Sequence, residues 1–161
     1  MTDNSEKSMS DVLDLLGKQH VAMLTTIDDG NMVSRPMGAM KPDEDGTIWF
    51  FTQTGSDKAV QIKADNRVNL TYADGDYLSV QGTAEMVQDA ALQREKWNKP
   101  TEAWLQCEPE DPQVSLIRVT PDTIGYWDTP TAVGSILSTA RALITNKRPD
   151  GGDSGIVDAN S

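Results

Sequence analysis

The 161-residue chain has one cysteine, one histidine and few basic residues. Cys107 has no internal disulfide partner, so we expect a reduced, cytoplasmic protein. A zinc site built from histidines and cysteines needs more ligands than the chain contains, and a Ser–His–Asp triad would have to use His20. The 14 Lys and Arg stand against 25 Asp and Glu, which gives a net charge of −11. This balance argues against binding to nucleic acid or to an anionic membrane surface.

Long apolar runs are also absent. No stretch approaches the ~20 apolar residues of a membrane-spanning helix. Residues 1–10 are polar, and we expect no secretory signal peptide there. The length predicts one domain, residues 1–145, which includes a C-terminal helix. Residues 146–161 are rich in glycine and aspartate and poor in apolar side chains, so we expect a mobile, disordered tail.

Short β-branched and aromatic segments, separated by turn residues, occupy most of the domain. They predict strands at 20–27, 32–40, 47–53, 67–73, 77–87, 114–120 and 123–127. Helical spacing or capping residues predict helices at 10–17, 56–65, 89–97 and 131–145, with a helical turn at 102–105. Hairpins of this kind favour an antiparallel barrel, because closure removes exposed strand edges. Gly82, inside a strand, predicts a bulge or a tight bend.

The loop between the strongest strand and the next helix is the best candidate for a binding site. Gly55 permits a sharp turn, and Ser56 is a typical N-cap residue. The first free amides of a helix form a natural anion site. Lys58 is unfavourable beside the positive end of the helix dipole unless an anion binds there. A capped surface helix with a solvated lysine explains the same residues without a ligand.

Arg35 is the second candidate. It lies in a strand among apolar residues, where burial of an unpaired guanidinium would be costly. Pro36 cannot donate to a strand ladder, so this point is an edge, a bulge or a seam. Arg35 could bind an anion or form a surface salt bridge. Adjacent strands and their loop can bring Arg35, Thr52, Ser56 and Lys58 together around one phosphate.

Other candidates carry less weight. Residues 43–46 resemble the start of a calcium loop but lack its closing glutamate, so we expect an acidic turn. Cys107 lies beside Glu108, which raises the pKa of a thiol and makes it unreactive. Trp127 could stack on an aromatic ring, although packing at a strand end explains it equally well.

Five segments together resemble a known family. They are 34–37 (SRPM), 49–52 (WFFT), 56–62 (SDKAVQI), 66–70 (NRVNL) and 80–84 (VQGTA). They resemble the pyridoxamine 5′-phosphate oxidase-like split-barrel flavoproteins, and most of all the general stress protein 26 family, over residues 10–128. The resemblance implies a mainly β fold with flanking helices, a six-stranded antiparallel split β-barrel. It also implies a homodimer with FMN in the groove between the subunits.

Roles for single residues follow from the same resemblance. It implies that Arg35, Ser56 and Lys58 hold the FMN phosphate, and that Met37 and Thr52 lie near the ribityl chain or the isoalloxazine. We add Trp127 to the cofactor-binding candidates because its ring could stack on the flavin.

The chain departs from true pyridoxamine 5′-phosphate oxidases at two places. Met40 stands where they carry a further basic residue, and Trp127 is not followed by their Arg-x-His substrate motif. We therefore expect an FMN-dependent oxidoreductase of unknown substrate that does not oxidise pyridoxamine 5′-phosphate. The alternative is a non-catalytic flavin-binding stress protein that acts as a reservoir or sensor. A barrel with an empty site is the third possibility.

Overall fold

The computed structural model of the chain describes residues 6–127 and 154–160. These ranges contain four helices and seven strands, in chain order α1 (Met9–Gly17), β1 (Val21–Asp28), β2 (Asn31–Gly38), β3 (Ile48–Gln53), α2 (Asp57–Ala64), β4 (Arg67–Tyr72), β5 (Tyr77–Val87), α3 (Ala90–Lys96), α4 (Lys99–Leu105), β6 (Val114–Trp127) and β7 (Ser154–Asp158). The predicted mainly β fold with flanking helices is therefore confirmed.

The seven strands of the described residues belong to one antiparallel sheet. Its order is β2-β1-β4-β5-β6-β3, and β7 pairs with β6. Strands β3 and β7 share one edge of β6: β3 pairs with residues 114–119 and β7 with residues 123–127. The terminal strands β2 and β3 contact each other, but among the described residues no ladder joins them. The sheet thus curls into a barrel that stays open along this seam.

Strand β6 replaces two predicted strands. The expected break at Pro121 is wrong, because a bulge accommodates this residue and the strand continues. Gln81 pairs with Thr123 and Gly82 with Pro121, which leaves Asp122 as the extra residue. A Cβ atom on Gly82 would lie 2.2 Å from the carbonyl oxygen of Thr120. The bulge expected at Gly82 is confirmed, and only glycine fits the close approach of the two strands.

The core fills the inner face of the sheet. Alternate residues of each strand point inward, so cross-strand partners such as Leu24 and Leu70, or Val80 and Ile124, are fully buried together. Helix α1 closes one side with its apolar residues and begins with a capping box between Ser8 and Asp11. Helix α2 buries Ala59 and Ile62. Burial of a side chain such as Ile62 contributes ~1.5–3 kcal/mol, and burial of the smaller Ala59 contributes less.

The margins of the sheet carry the two remaining helices. Helix α3 lies where a helix was predicted, and α4 is a complete short helix rather than a single turn. Asn98 caps α4, and Pro100 occupies its first turn, where no amide donor is needed. Trp97 packs edge-on against Phe51 at a centroid separation of 5.2 Å, which holds α3 against β3. In the described ranges, no helix has the length and apolar content needed to cross a membrane.

The predicted disordered tail is wrong for residues 154–158. These form β7 on the edge of β6, and Val157 packs against the core. A Cβ atom on Gly155 would lie 2.6 Å from Tyr126 Oη. Composition missed this strand because the segment gains its order from an edge that β6 already provides. The predicted helix at 131–145 and the tail residues 146–153 and 161 lie outside the described residues, so the boundary at 145 stays a prediction.

Candidate anion-binding site

Strand β2 places Arg35 on the inner face of the sheet. Its partner across the ladder is the buried Leu24, so the two side chains share that face. The guanidinium is half-buried and donates to neutral acceptors. Nη1 donates to Thr26 Oγ1 at 2.7 Å and to the carbonyl of Leu24 at 3.3 Å, and Nη2 donates to Gln61 Oε1 at 2.7 Å. Arg35 is thus anchored at the open seam with its charge uncompensated by these contacts.

The loop between β3 and α2 supplies the second half of the site. Ser56 occupies the N-cap position of α2, as expected, but its side chain makes no cap hydrogen bond. Its Oγ instead lies 3.1 Å from Thr52 Oγ1, and Lys58 Nζ donates to the same Thr52 oxygen at 3.3 Å. Thr52 is buried. The three side chains therefore form one small cluster at the start of α2.

The electrostatics connect the two halves. Burial, and then the nearby charge of Arg35, lowers the pKa of Lys58. Burial also lowers the pKa of Arg35, while the charges of Asp57 and Asp28 act in the opposite direction. Across the described residues, neither cation has a carboxylate within salt-bridge distance. Two cations held together, partly desolvated, favour an anion between them.

The backbone of α2 adds further donors. The amides of Asp57 and Lys58 belong to the first turn, where no carbonyl of the same helix can accept from them. The carbonyl of Ser56 already accepts from Ala59 and Val60. Two amides, a hydroxyl and an ammonium thus lie at the start of α2, and the guanidinium of Arg35 is near enough for its charge to act on Lys58. This donor set suits a phosphate monoester, whose oxygens are strong acceptors.

The remaining predicted site residues lie apart from this cluster. Met37 is two residues beyond Arg35 on the same face of β2, and its side chain is buried in the core. Trp127 lies on the opposite face of the sheet, because it pairs with the exposed Tyr77 rather than with a core residue. Its ring packs near Gly125 and is half exposed. One chain therefore brings together Arg35, Thr52, Ser56 and Lys58, and leaves Trp127 on the outside.

Sequence reasoning missed two members of the site, Thr26 and Gln61. Thr26 is fully buried, and its Oγ1 donates to Gln61 Oε1 at 2.6 Å. A signal for Gln61 was present, because it follows Lys58 by three residues and such residues share one face of a helix. Thr26 carried no comparable signal, since a threonine in an apolar strand is ordinary.

The weaker candidates stay outside the site. Desolvation, followed by the charges of Asp111 and Glu108, raises the pKa of Cys107, which agrees with the unreactive thiol expected from the sequence. His20 Nδ1 lies 2.7 Å from Asp74 Oδ2 at an exposed position. Within residues 6–127 and 154–160, no three His, Cys, Asp or Glu side chains are grouped as metal ligands.

The fold is an antiparallel split barrel, and hydrogen-bond donors from β2, β3 and α2 lie at its seam. The family model for pyridoxamine 5′-phosphate oxidase-like proteins matches residues 7–150. The chain belongs to this family, as its motifs indicated.

Individual relatives agree with this assignment. Protein bli-3 of Neurospora crassa is 31 % identical over 157 residues, which cover 88 % of this chain and 75 % of that protein. A solved structure of a candidate general stress protein 26 from Jannaschia sp. CCS1 is 28 % identical, with a TM-score of 0.77 over 93 % of this chain and 99 % of its own. A general stress FMN/FAD binding protein from Xanthomonas citri is 25 % identical, with a TM-score of 0.64 over 76 % of this chain and 89 % of its own. The split-barrel fold and the similarity to general stress protein 26 are therefore established.

Proposed function

We propose that this protein binds FMN and that Arg35, Ser56 and Lys58 hold the phosphate. The observation that carries the proposal is the juxtaposition of two half-buried cations without carboxylate partners, within the described residues, at the first turn of α2. The Xanthomonas citri relative is an FMN/FAD binding protein, which supports a flavin nucleotide as the ligand that carries this phosphate. Thr52 orients Ser56 and Lys58, and Met37, on the same face of β2 as Arg35, lies near the ribityl chain or the isoalloxazine.

The experiment is a titration of flavin-free protein with FMN and with riboflavin, followed by flavin fluorescence. Saturable FMN binding at micromolar concentration, with clearly weaker riboflavin binding, supports the phosphate site. FAD in a parallel titration tests which flavin nucleotide is preferred. An absence of saturable FMN binding would overturn the proposal.

We further propose a homodimer with the flavin groove between subunits. Of the large hydrophobic side chains that are exposed in the described parts of the chain, six project from the outer face of the sheet: Val21, Met23, Met32, Tyr77, Trp127 and Ile156. An apolar face of this kind is typical of an interaction surface. Trp127 would then reach a flavin on the partner subunit, since it lies on the wrong face for its own. Sedimentation velocity of the purified protein checks the dimer, and a monomer at micromolar concentration contradicts it.

Bound FMN would supply the redox chemistry, while the chain binds and orients it. We propose a cytoplasmic FMN-dependent oxidoreductase of unknown substrate. Met40 stands where true pyridoxamine 5′-phosphate oxidases carry a basic residue, and their Arg-x-His motif has no counterpart after Trp127, so we expect no release of pyridoxal 5′-phosphate. Anaerobic mixing of the FMN-loaded protein with NADH or NADPH tests the enzyme: rapid bleaching of the flavin absorbance and acceptor-dependent turnover support it.

The second candidate function is a flavin reservoir or sensor without turnover. The same site is compatible with it, because the cluster has the donors to hold a phosphate and a flavin carries its redox chemistry without an acid, base or nucleophile from the chain. Failure of flavin reduction by both nicotinamides, together with tight FMN binding, would support this candidate.

A further inference from the structure

The side-chain amide of Gln61 connects helix α2 to the guanidinium of Arg35. Its Oε1 accepts two hydrogen bonds, one from Arg35 Nη2 at 2.7 Å and one from Thr26 Oγ1 at 2.6 Å. Thr26 Oγ1 accepts from Arg35 Nη1 at 2.7 Å. A guanidinium can only donate and an amide oxygen can only accept, so the single hydroxyl proton of Thr26 is committed to Gln61. The three side chains therefore form a closed network with one arrangement of protons.

This network differs from the environment of the other arginines that the structure describes. Arg67, Arg94 and Arg118 each contact a carboxylate, from Asp65, Glu110 and Glu85 respectively. The pairing with Arg67 lowers the pKa of Asp65 to about 2. Arg35 instead contacts a hydroxyl, an amide and a carbonyl. In a chain with a net charge of −11, a carboxylate would be the common partner, so neutral acceptors at Arg35 are informative.

Neutral acceptors fix the guanidinium and leave its charge available. The three contacts use three of its N–H donors, and about two of the five remain for another acceptor. A carboxylate at position 61 would anchor the side chain equally well but would cancel the charge that attracts a phosphate. A hydrophobic residue there would leave the charge but release the side chain.

We propose that Gln61, together with Thr26, is a positioning residue that holds Arg35 in place without neutralising it, and thereby sets the preference for phosphorylated over unphosphorylated flavin. This inference rests on the proposed FMN site. It assigns to the neutral amide a role that neither a carboxylate nor an apolar side chain can perform.

The first test compares two substitutions at Gln61. Gln61→Glu keeps an oxygen acceptor and adds a negative charge, so FMN affinity should fall about 10- to 100-fold. Gln61→Leu removes the acceptor, and FMN affinity should fall about 5-fold. Riboflavin affinity should change less than about 2-fold in both variants, because riboflavin has no phosphate for Arg35 to contact. Equal losses for the two ligands would overturn the proposal, since they would indicate damage to the fold.

Gln53→Glu is the matched charge control. Gln53 is exposed at the end of β3, and the alternation of the strand turns it away from the face that carries Thr52. It receives the same change of charge without contact to Arg35. An FMN loss as large as that of Gln61→Glu would mean that general charge, not the network, governs binding.

A double-mutant cycle tests whether Gln61 acts through Arg35. In an Arg35→Ala background, Gln61→Leu should leave FMN affinity unchanged, because the residue it positions is gone. Additive losses would overturn the positioning role.

Thr26→Ser keeps the hydroxyl and should retain wild-type FMN affinity, whereas Thr26→Val should resemble Gln61→Leu. If the wild-type protein itself binds no FMN, the proposed function fails; if it binds FMN and only the Gln61 variants behave unexpectedly, this inference alone fails.

Discussion

Lys58 Nζ donates to Thr52 Oγ1 at 3.3 Å, and the oxygen that receives this bond also lies 3.1 Å from Ser56 Oγ. Thr52 is the last buried residue of β3, and the other two residues lie at the start of α2, so the contact fixes the turn between the strand and the helix. The result is an ammonium held at the positive end of α2, next to a second cation from β2. Such an arrangement is unfavourable alone and becomes favourable when a dianion is bound.

Arg35→Ala and Lys58→Ala should each weaken FMN binding. Each substitution removes a charge-assisted contact, which contributes roughly 1.5–3 kcal/mol, or about 10- to 150-fold in the dissociation constant. Riboflavin binding should change far less. Fluorescence titration of both flavins against both variants measures the ratio. Parallel losses of the two ligands would assign these residues to the fold instead of the phosphate.

The pH dependence of FMN affinity should report on Lys58. Burial and Arg35 lower its pKa in the free protein, and a bound dianion should raise it again, so binding favours the protonated amine. Affinity is then greatest below the free-state pKa and falls as pH rises from that lowered pKa towards the bound-state value. Below about pH 6 the phosphate itself takes up a proton, which weakens binding from the acid side. Isothermal titration calorimetry between pH 6 and 11 measures the fall of FMN affinity at alkaline pH, with Lys58→Met as the control. If the same fall occurs in Lys58→Met, the pH dependence does not come from Lys58.

The sequence predicted most strands because their apolar alternation is local information. It also predicted the candidate residues at the start of α2. Gly55, the capping residue Ser56 and Lys58, a cation at the positive end of the helix dipole, lie within a few positions of each other. It missed β7, which needs the edge of β6 to form, and the continuity of β6 through Pro121, which needs the bulge opposite Gly82. Helical spacing could have placed Gln61 on the same face as Lys58, but not its contacts, because its partners Thr26 and Arg35 are 35 and 26 residues away in the chain.

Ser8→Ala and Ser56→Ala form a matched pair at two helix starts. Ser8 accepts from the amide of Asp11 and completes a capping box, whereas Ser56 makes no cap hydrogen bond. Ser8→Ala should therefore lower the free energy of unfolding by about 1 kcal/mol, and Ser56→Ala by a few tenths. Chemical denaturation of both flavin-free variants measures this difference. FMN binding should show the reverse order, with about 5-fold weaker affinity for Ser56→Ala.

Gly82→Ala should destabilise the barrel strongly. The new methyl group would fall 2.2 Å from the carbonyl oxygen of Thr120, so β5 and β6 would have to separate at the bulge. We expect a loss of roughly 1–3 kcal/mol, as for other overpacked sites. Gly38→Ala is the control, since nothing lies within 4 Å of a Cβ atom at that position. Thermal melts of the two variants compare them, and similar melting temperatures would show that the strands yield easily at the bulge.

Trp127→Ala and Trp104→Ala compare a tryptophan that we propose to contact the flavin with one that is exposed to solvent and has no proposed role. Trp104 is 87 % exposed on α4, while Trp127 is 50 % exposed on the outer face of β6, beside Tyr77. If the outer face forms the dimer and Trp127 contacts the partner's flavin, Trp127→Ala should weaken FMN and riboflavin alike by about 2- to 13-fold, because stacking does not depend on the phosphate. Trp104→Ala should leave both affinities unchanged. The equal effect on both flavins distinguishes this role from that of Arg35. In sedimentation velocity, the Trp127→Ala dimer should dissociate at a higher protein concentration than the wild-type dimer. Unchanged flavin binding in Trp127→Ala would leave this tryptophan with packing over Gly125 at the end of β6, and would remove it from the site.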